Sequence, residues 1–94
     1  MKVPVKFSSH AVEKMLRRNV KISDVYATLK APDEIYEDVE HETFIAIKKV
    51  NAKFIILAYK MENSRAKVIT LFYTTKLDRL LKTKTARGAW KKTK

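Results

Sequence analysis

The sequence predicts an α+β fold: two N-terminal helices packed on a three- to four-stranded antiparallel sheet, then a short C-terminal helix and a basic tail. Three observations predict it. Residues 10–30 carry two short amphipathic patterns. Residues 34–75 read as successive strands separated by tight turns, the clearest being KVITLFYTT from Lys67 to Thr75. The helical pattern returns at Lys76, and lysine and arginine dominate from there on. Helices followed by hairpin-linked strands collect on one face of an antiparallel sheet.

Val3, Val5 and Phe7 alternate with Lys2, Pro4 and Lys6, which predicts a short edge strand where proline is tolerated. Ser8 or Ser9 is placed to cap a helix from about His10 to Arg18. Ala11, Val12, Met15 and Leu16 gather on one side of it, with His10, Lys14 and Arg17 on the other and Arg18 at the border. Asn19 suits its stop. Ser23 caps a second helix, Asp24 to Lys30, whose apolar face is Val25, Tyr26 and Leu29; Pro32 ends it. Strands are expected at Glu34 to Val39, Thr43 to Val50, Phe54 to Met61 and Lys67 to Thr75, with Asn51-Ala52 as a tight turn lacking the usual glycine. Leu77, Leu80 and Leu81 share one side of a last helix, Lys76 to about Lys84. Residues 1–84 therefore form one domain, and residues 85–94 a basic, mobile arm.

Composition narrows the function classes. The chain lacks cysteine, which excludes disulfides and thiolate metal sites and fits a reducing, cytoplasmic setting. No apolar run reaches the length of a membrane span. There is no glycine-rich phosphate loop and no nucleophile elbow, so nucleotide hydrolysis has no support. The formal net charge is +11, and residues 76–94 supply eight bases against Asp78, or +7 of it. Six of the ten acids lie between Asp33 and Glu42. A polyanion such as nucleic acid would bind the basic surface and avoid the acidic edge. The tail and that edge must either face apart or hold each other.

Three groups of residues can carry chemistry. His10, Lys14 and Arg17 follow at i, i+4 and i+7, so a proton-transfer group and two cations share one helical face. A neutral imidazole can take a proton near neutral pH while adjacent cations hold phosphate, which suits cleavage by the ribose 2′-OH. A basic stripe opposite an apolar one is also what an ordinary surface helix shows. Tyr73 ends the last strand, where it can stack a base or pack at the sheet edge. In the tail, Lys82, Lys84, Arg87, Lys91 and Lys92 can contact phosphates, and Trp90 can stack an unpaired base or anchor the segment to the sheet. His41 sits among acids, but neighbours on a strand or turn diverge, and an acidic hairpin tip explains it without a metal. No metal or cofactor is expected.

Ser9-x-His10, Lys14, Arg18, Val20-x-Ile22-Ser23, Pro32-Asp33 and Val68-Ile69-Thr70 together resemble a small prokaryotic family of unassigned function. Its pattern is roughly Ser-x-His-x-x-x-Arg-Met-x-x-Arg-x-Ile, and it is grouped with the RelE/ParE-like toxin fold. The resemblance covers about Phe7 to Tyr73; Lys14 stands where the pattern has arginine, which loses the planar fork that grips phosphate twice. It implies a two-helix cap on a curved antiparallel sheet. It also implies an RNA-binding protein of the toxin class, with metal-independent endoribonuclease activity as the candidate reaction. His10 would move the proton, Lys14 and Arg18 would hold phosphate, and Tyr73 would stack or assist. The expected partners are RNA, on or off the ribosome, and an acidic antitoxin-like protein. The rival reading is a non-enzymatic nucleic-acid-binding protein, such as a chromatin, plasmid or viral factor, that uses the basic arm alone.

Overall fold

A computed structural model describes residues 4–93. Its elements run β1 (Val5–Phe7), α1 (Ser9–Arg17), α2 (Ile22–Lys30), β2 (Glu34–Asp38), β3 (Thr43–Val50), β4 (Lys53–Glu62), β5 (Arg65–Thr74), α3 (Leu77–Ala86) and β6 (Trp90–Lys92). The fold is α+β, with one correction to the expected sheet. It has six strands, in the order β1-β5-β4-β3-β2-β6, and it is mixed rather than antiparallel. The meander β2 to β5 is antiparallel throughout. The extra strands are the two short termini: β1 joins β5 in parallel, and β6 joins β2 antiparallel. Three-residue strands borrow their stability from the sheet they join; β1 falls within the edge strand that alternation predicts, whereas β6 has no periodic signal of its own. Val3, the first residue of the expected edge strand, lies outside the described residues.

The sheet separates two cores. On one face Ala11, Val20 and Val25 from the helical pair meet Ala46, Ile55, Leu57, Val68 and Leu71. On the other face Leu77, Leu80 and Leu81 of α3 cover Ile45, Ile47 and Ile56, with Tyr36 and Trp90 alongside. A central strand buried on both sides has to be apolar at every position, which is why Ile55 to Ala58 is an unbroken apolar run.

Helix ends are set by named groups. Ser8, not Ser9, caps α1: its hydroxyl accepts from Ala11 N–H at 3.0 Å and donates to the Ile69 carbonyl at 3.2 Å. Asn19, in the left-handed region at φ 54°, ends α1; Val20 N–H returns to Met15 O and Asn19 N–H to Leu16 O. Lys21, rather than Ser23, stands at the N-cap of α2.

The rotation of α1 also departs from expectation. Ala11, Met15 and Arg18 face the sheet, with Lys14 half-buried beside them, whereas Val12 is 40% and Leu16 75% exposed. The helix leans along β5, where Arg18 finds a carbonyl, and this turns its apolar flank outward.

The mobile arm is a second correction. Gly88, at φ 75°, closes α3 with two reverse bonds, Ala89 N–H to Lys84 O and Gly88 N–H to Thr85 O, both at 3.0 Å. The chain then doubles back, and β6 pairs Trp90 with Asp38, Lys91 with Glu37 and Lys92 with Tyr36. The basic tail and the acidic edge hold each other: Arg87 meets Glu40 and Lys92 meets Glu34, each at 3.2 Å. Among the described residues no helix is long and apolar enough to cross a membrane.

Candidate functional site on the sheet face beneath helix α3

The strand register brings together a row of cations that sequence spacing does not show. Lys6 is the cross-strand partner of Lys67, and Lys67 of Lys60. Side chains alternate along a strand, so Lys60 projects from the same face as Ile56 and Ala58, the face that α3 covers. Three lysines on three neighbouring strands therefore stand side by side on that face. Like charges directly opposite one another oppose pairing. The nearest acid, Glu62, lies 3.8 Å from Lys67 and is half-exposed.

Beside this row, between α3 and the sheet, is a cavity of about 350 Å³. Ile45, Ile56, Ala58, Ile69, Phe72 and Leu80 make its apolar walls. A register shift in β5 opposite Ala58 and Tyr59 puts the successive residues Ile69 and Thr70 both on the cavity side. Lys84 and Trp90 close one end, with the Lys84 ammonium 5.7 Å from the indole centre. Arg18 reaches the opposite wall, donating to Leu71 O at 3.0 Å with its guanidinium 5.8 Å from the Phe72 ring.

The polar end is built around Asp38, which is buried. One carboxylate oxygen accepts from the backbone N–H groups of Glu40 and His41, both at 3.0 Å. The other is bonded to His41 Nδ1 at 2.9 Å and to the indole N–H of Trp90 at 3.2 Å. Burial pushes the Asp38 carboxyl up, but the bonds from the His41 ring and backbone and from Trp90 outweigh it and hold it below the usual carboxylate range. An ionised carboxylate only accepts, so Nδ1 of His41 carries the proton in this bond. Asp38, Glu40 and His41 offer donor atoms within 4.8 Å of one another. All four acceptor positions of Asp38 are already taken, however, and Glu40 is paired with Arg87. This is the hydrogen bonding of a turn, not of a metal-ligand set. Next to it Thr43, 5% exposed, has a buried Oγ1 with no hydrogen-bond partner among the described residues.

The residues expected to act together are dispersed. His10 is exposed on α1, with no side-chain hydrogen bond among the described residues. Arg17 forms an ion pair with Glu13. Tyr73 is fixed by α2: its hydroxyl donates to Asp24 Oδ2 at 2.6 Å and accepts from Lys21 N–H at 3.1 Å, with Lys53 Nζ 4.0 Å over the ring. Burial, then the hydrogen bond to Asp24, push its phenol up, so it stays protonated at neutral pH. Of the tail residues, Lys82 and Lys91 are exposed, Arg87 and Lys92 are paired with acids, and Trp90 is buried at 6% exposure. Of the expected set only Lys84 and Trp90 line the cavity, and Arg18 lies near its Phe72 wall. Asp38, Thr43, Lys6 and Lys67 were not among the expected site residues, and His41 was assigned to an acidic hairpin tip. Their one sequence signal is alternation, which puts Asp38 and Thr43 on a common face once the β2–β3 hairpin is drawn.

No curated protein and no solved structure matches the chain. A family model does match, over residues 7–73, and its description is "Domain of unknown function (DUF4258)". Those residues span α1 to all but the last residue of β5, which agrees with the extent of the resemblance seen in the sequence. The chain belongs to the DUF4258 family.

Proposed function

We propose that this protein is an RNA-binding protein of the RelE-like toxin class and that RNA lies on the sheet face beneath α3. The observation that carries the reading is the row Lys6–Lys67–Lys60 beside an apolar cavity. Cations that repel one another across a sheet are relieved by a bound polyanion, and apolar walls next to them suit the bases of an unpaired strand. Single-stranded RNA should bind more tightly than duplex of equal length in a titration at moderate salt. Equal affinity for the two would remove the preference for unpaired RNA.

Metal-independent cleavage, with His10 as the proton-transfer group and Lys14 and Arg18 on phosphate, is a separate enzymatic proposal, because α1 packs on the face of the sheet opposite α3 and needs the RNA to pass round the sheet edge. It is tested by incubating wild type and His10→Ala with several RNAs, with and without ribosomes. Cleavage by wild type alone supports it, and intact RNA throughout ends it. The non-enzymatic reading is favoured by one observation: Tyr73 is tied to Asp24 and Lys21 and is not at hand for a bound strand.

An acidic, antitoxin-like protein is the proposed second partner. Val12, Leu16, Ile22 and Tyr26 are exposed on the two N-terminal helices, and large apolar side chains grouped on a basic protein suit a protein contact.

A further inference from the structure

We infer that the cavity between α3 and the sheet is a binding site for a single unpaired nucleobase, with Thr43 Oγ1 bonding its polar edge and Lys84 holding the neighbouring phosphate. The inference rests on the RNA-binding reading and adds to it a defined pocket and a contact to the base itself. Three independent features point there.

The first is the cavity. Its roughly 350 Å³ lies at the small end of the range that ligand sites occupy, about 300–1,000 Å³. Its long walls are aliphatic and aromatic, with Asp38, His41, Thr43, Thr70 and Lys84 supplying polar groups, which suits a flat heterocycle with a polar edge.

The second is the orphan hydroxyl. A buried oxygen without a partner is costly, and native proteins keep few of them. Thr43 shares its face with Ile45 and lines the cavity; its oxygen is covered, so a rotation of the side chain brings it to a ligand's polar edge. A hydroxyl both donates and accepts, so it can meet an amino, imino or carbonyl group of a base. Asp38 cannot compete for that edge, because its acceptor positions are filled by His41, Glu40 and Trp90.

The third is the placement of charge. Lys84 stands at one end of the cavity and Arg18 beside Phe72 at another wall. Beyond Ala58 and Ile69 come Lys60, Lys67 and Lys6, and the cleft at that end is lined by Lys6, Arg65 and Lys67 with Glu62 and Asn63. A strand whose base enters the cavity can thus place its phosphates on cations along both directions.

Trp90 is the chain's only tryptophan and lines the cavity, so its fluorescence reports directly on occupancy. The test titrates wild type, Thr43→Val and Ala58→Leu with a short single-stranded RNA and with its fully abasic counterpart, which keeps the phosphates and lacks the bases. Wild type should prefer the RNA carrying bases by roughly tenfold, within the range of one stacked base, and its indole emission should shift. Thr43→Val keeps the shape and loses the hydroxyl. It should bind that RNA about three- to tenfold more weakly, with its melting temperature unchanged or raised, because the unpaired oxygen is gone. A merely structural threonine would not combine those two results. Ala58→Leu fills the cavity and should erase the preference while leaving the affinity for the abasic strand. Equal binding of both strands by wild type overturns the pocket alone, as does a preference retained in both variants. Failure of wild type to bind either strand at low salt overturns the RNA reading and the pocket with it.

Discussion

The indole N–H of Trp90 donates to Asp38 Oδ2 at 3.2 Å, joining positions 52 residues apart. This bond, with the Gly88 reversal before it, converts a lysine-rich terminus into the sixth strand of the sheet. Truncating the tail from Thr85 onward would therefore remove sheet and core together and cannot isolate the contribution of its charge. Trp90→Ala should cost about 3–5 kcal/mol of stability, as for a large buried aromatic. Urea denaturation measures it. A loss under about 1 kcal/mol would mean that the indole is not held as described.

Asp38 sets an acid limit on the same contact. Its folded pKa lies below the unfolded value, so its stabilising effect is complete above the unfolded range near pH 4 and is lost as pH falls through the folded value. Thermal midpoints of wild type and Asp38→Asn should differ most at neutral pH and converge on acidification. A gap that stays constant down to pH 2 would contradict the assignment.

Tyr73 is expected to behave as a structural tie between β5 and α2. Tyr73→Phe should lower stability by about 1–3 kcal/mol, since the lost bond runs to a carboxylate, and should change RNA affinity less than twofold. The phenol is pushed up by burial first, with its bond to Asp24 adding to this. It therefore stabilises the fold below the unfolded value near pH 10, an effect lost as pH rises through the folded one. In Tyr73→Phe that alkaline loss should shrink. Lost RNA cleavage at unchanged stability would return Tyr73 to the chemistry.

The β4–β5 turn holds both central residues, Asn63 at φ 50° and Ser64 at φ 64°, in the left-handed region. That turn type favours asparagine then glycine. Ser64→Gly should stabilise by about 1 kcal/mol, the cost of a side chain in that region. A lower melting temperature would show that the serine hydroxyl contributes something the turn geometry does not reveal.

Much of the fold was legible because its signals are local. Thr43 to Val50 is bounded as expected, Asn51 supplies the positive φ for the glycine-free turn, and Leu77, Leu80 and Leu81 do face the core. What the sequence concealed depends on partners distant in the chain. Lys6, Lys60 and Lys67 are scattered lysines until the register of β1, β4 and β5 aligns them. Trp90-Lys91-Lys92 has no strand pattern of its own; its pairing depends on the acidic β2 and on the Asp38 carboxylate. The stripe of His10, Lys14 and Arg17 follows from helical spacing, but spacing does not set rotation. Arg18, at the border of that stripe, is the residue that reaches the cavity wall.

The central claim is that RNA binds through the lysine row. It is tested most directly by the salt dependence of single-stranded RNA binding, measured for wild type and for Lys6→Gln/Lys60→Gln/Lys67→Gln. Each phosphate neutralised on a single strand contributes about 0.7 to the slope of log K against log salt. The triple substitution should flatten the slope by about 2 and leave the melting temperature equal or higher, because repulsion across three strands is relieved. An unchanged slope would contradict the account.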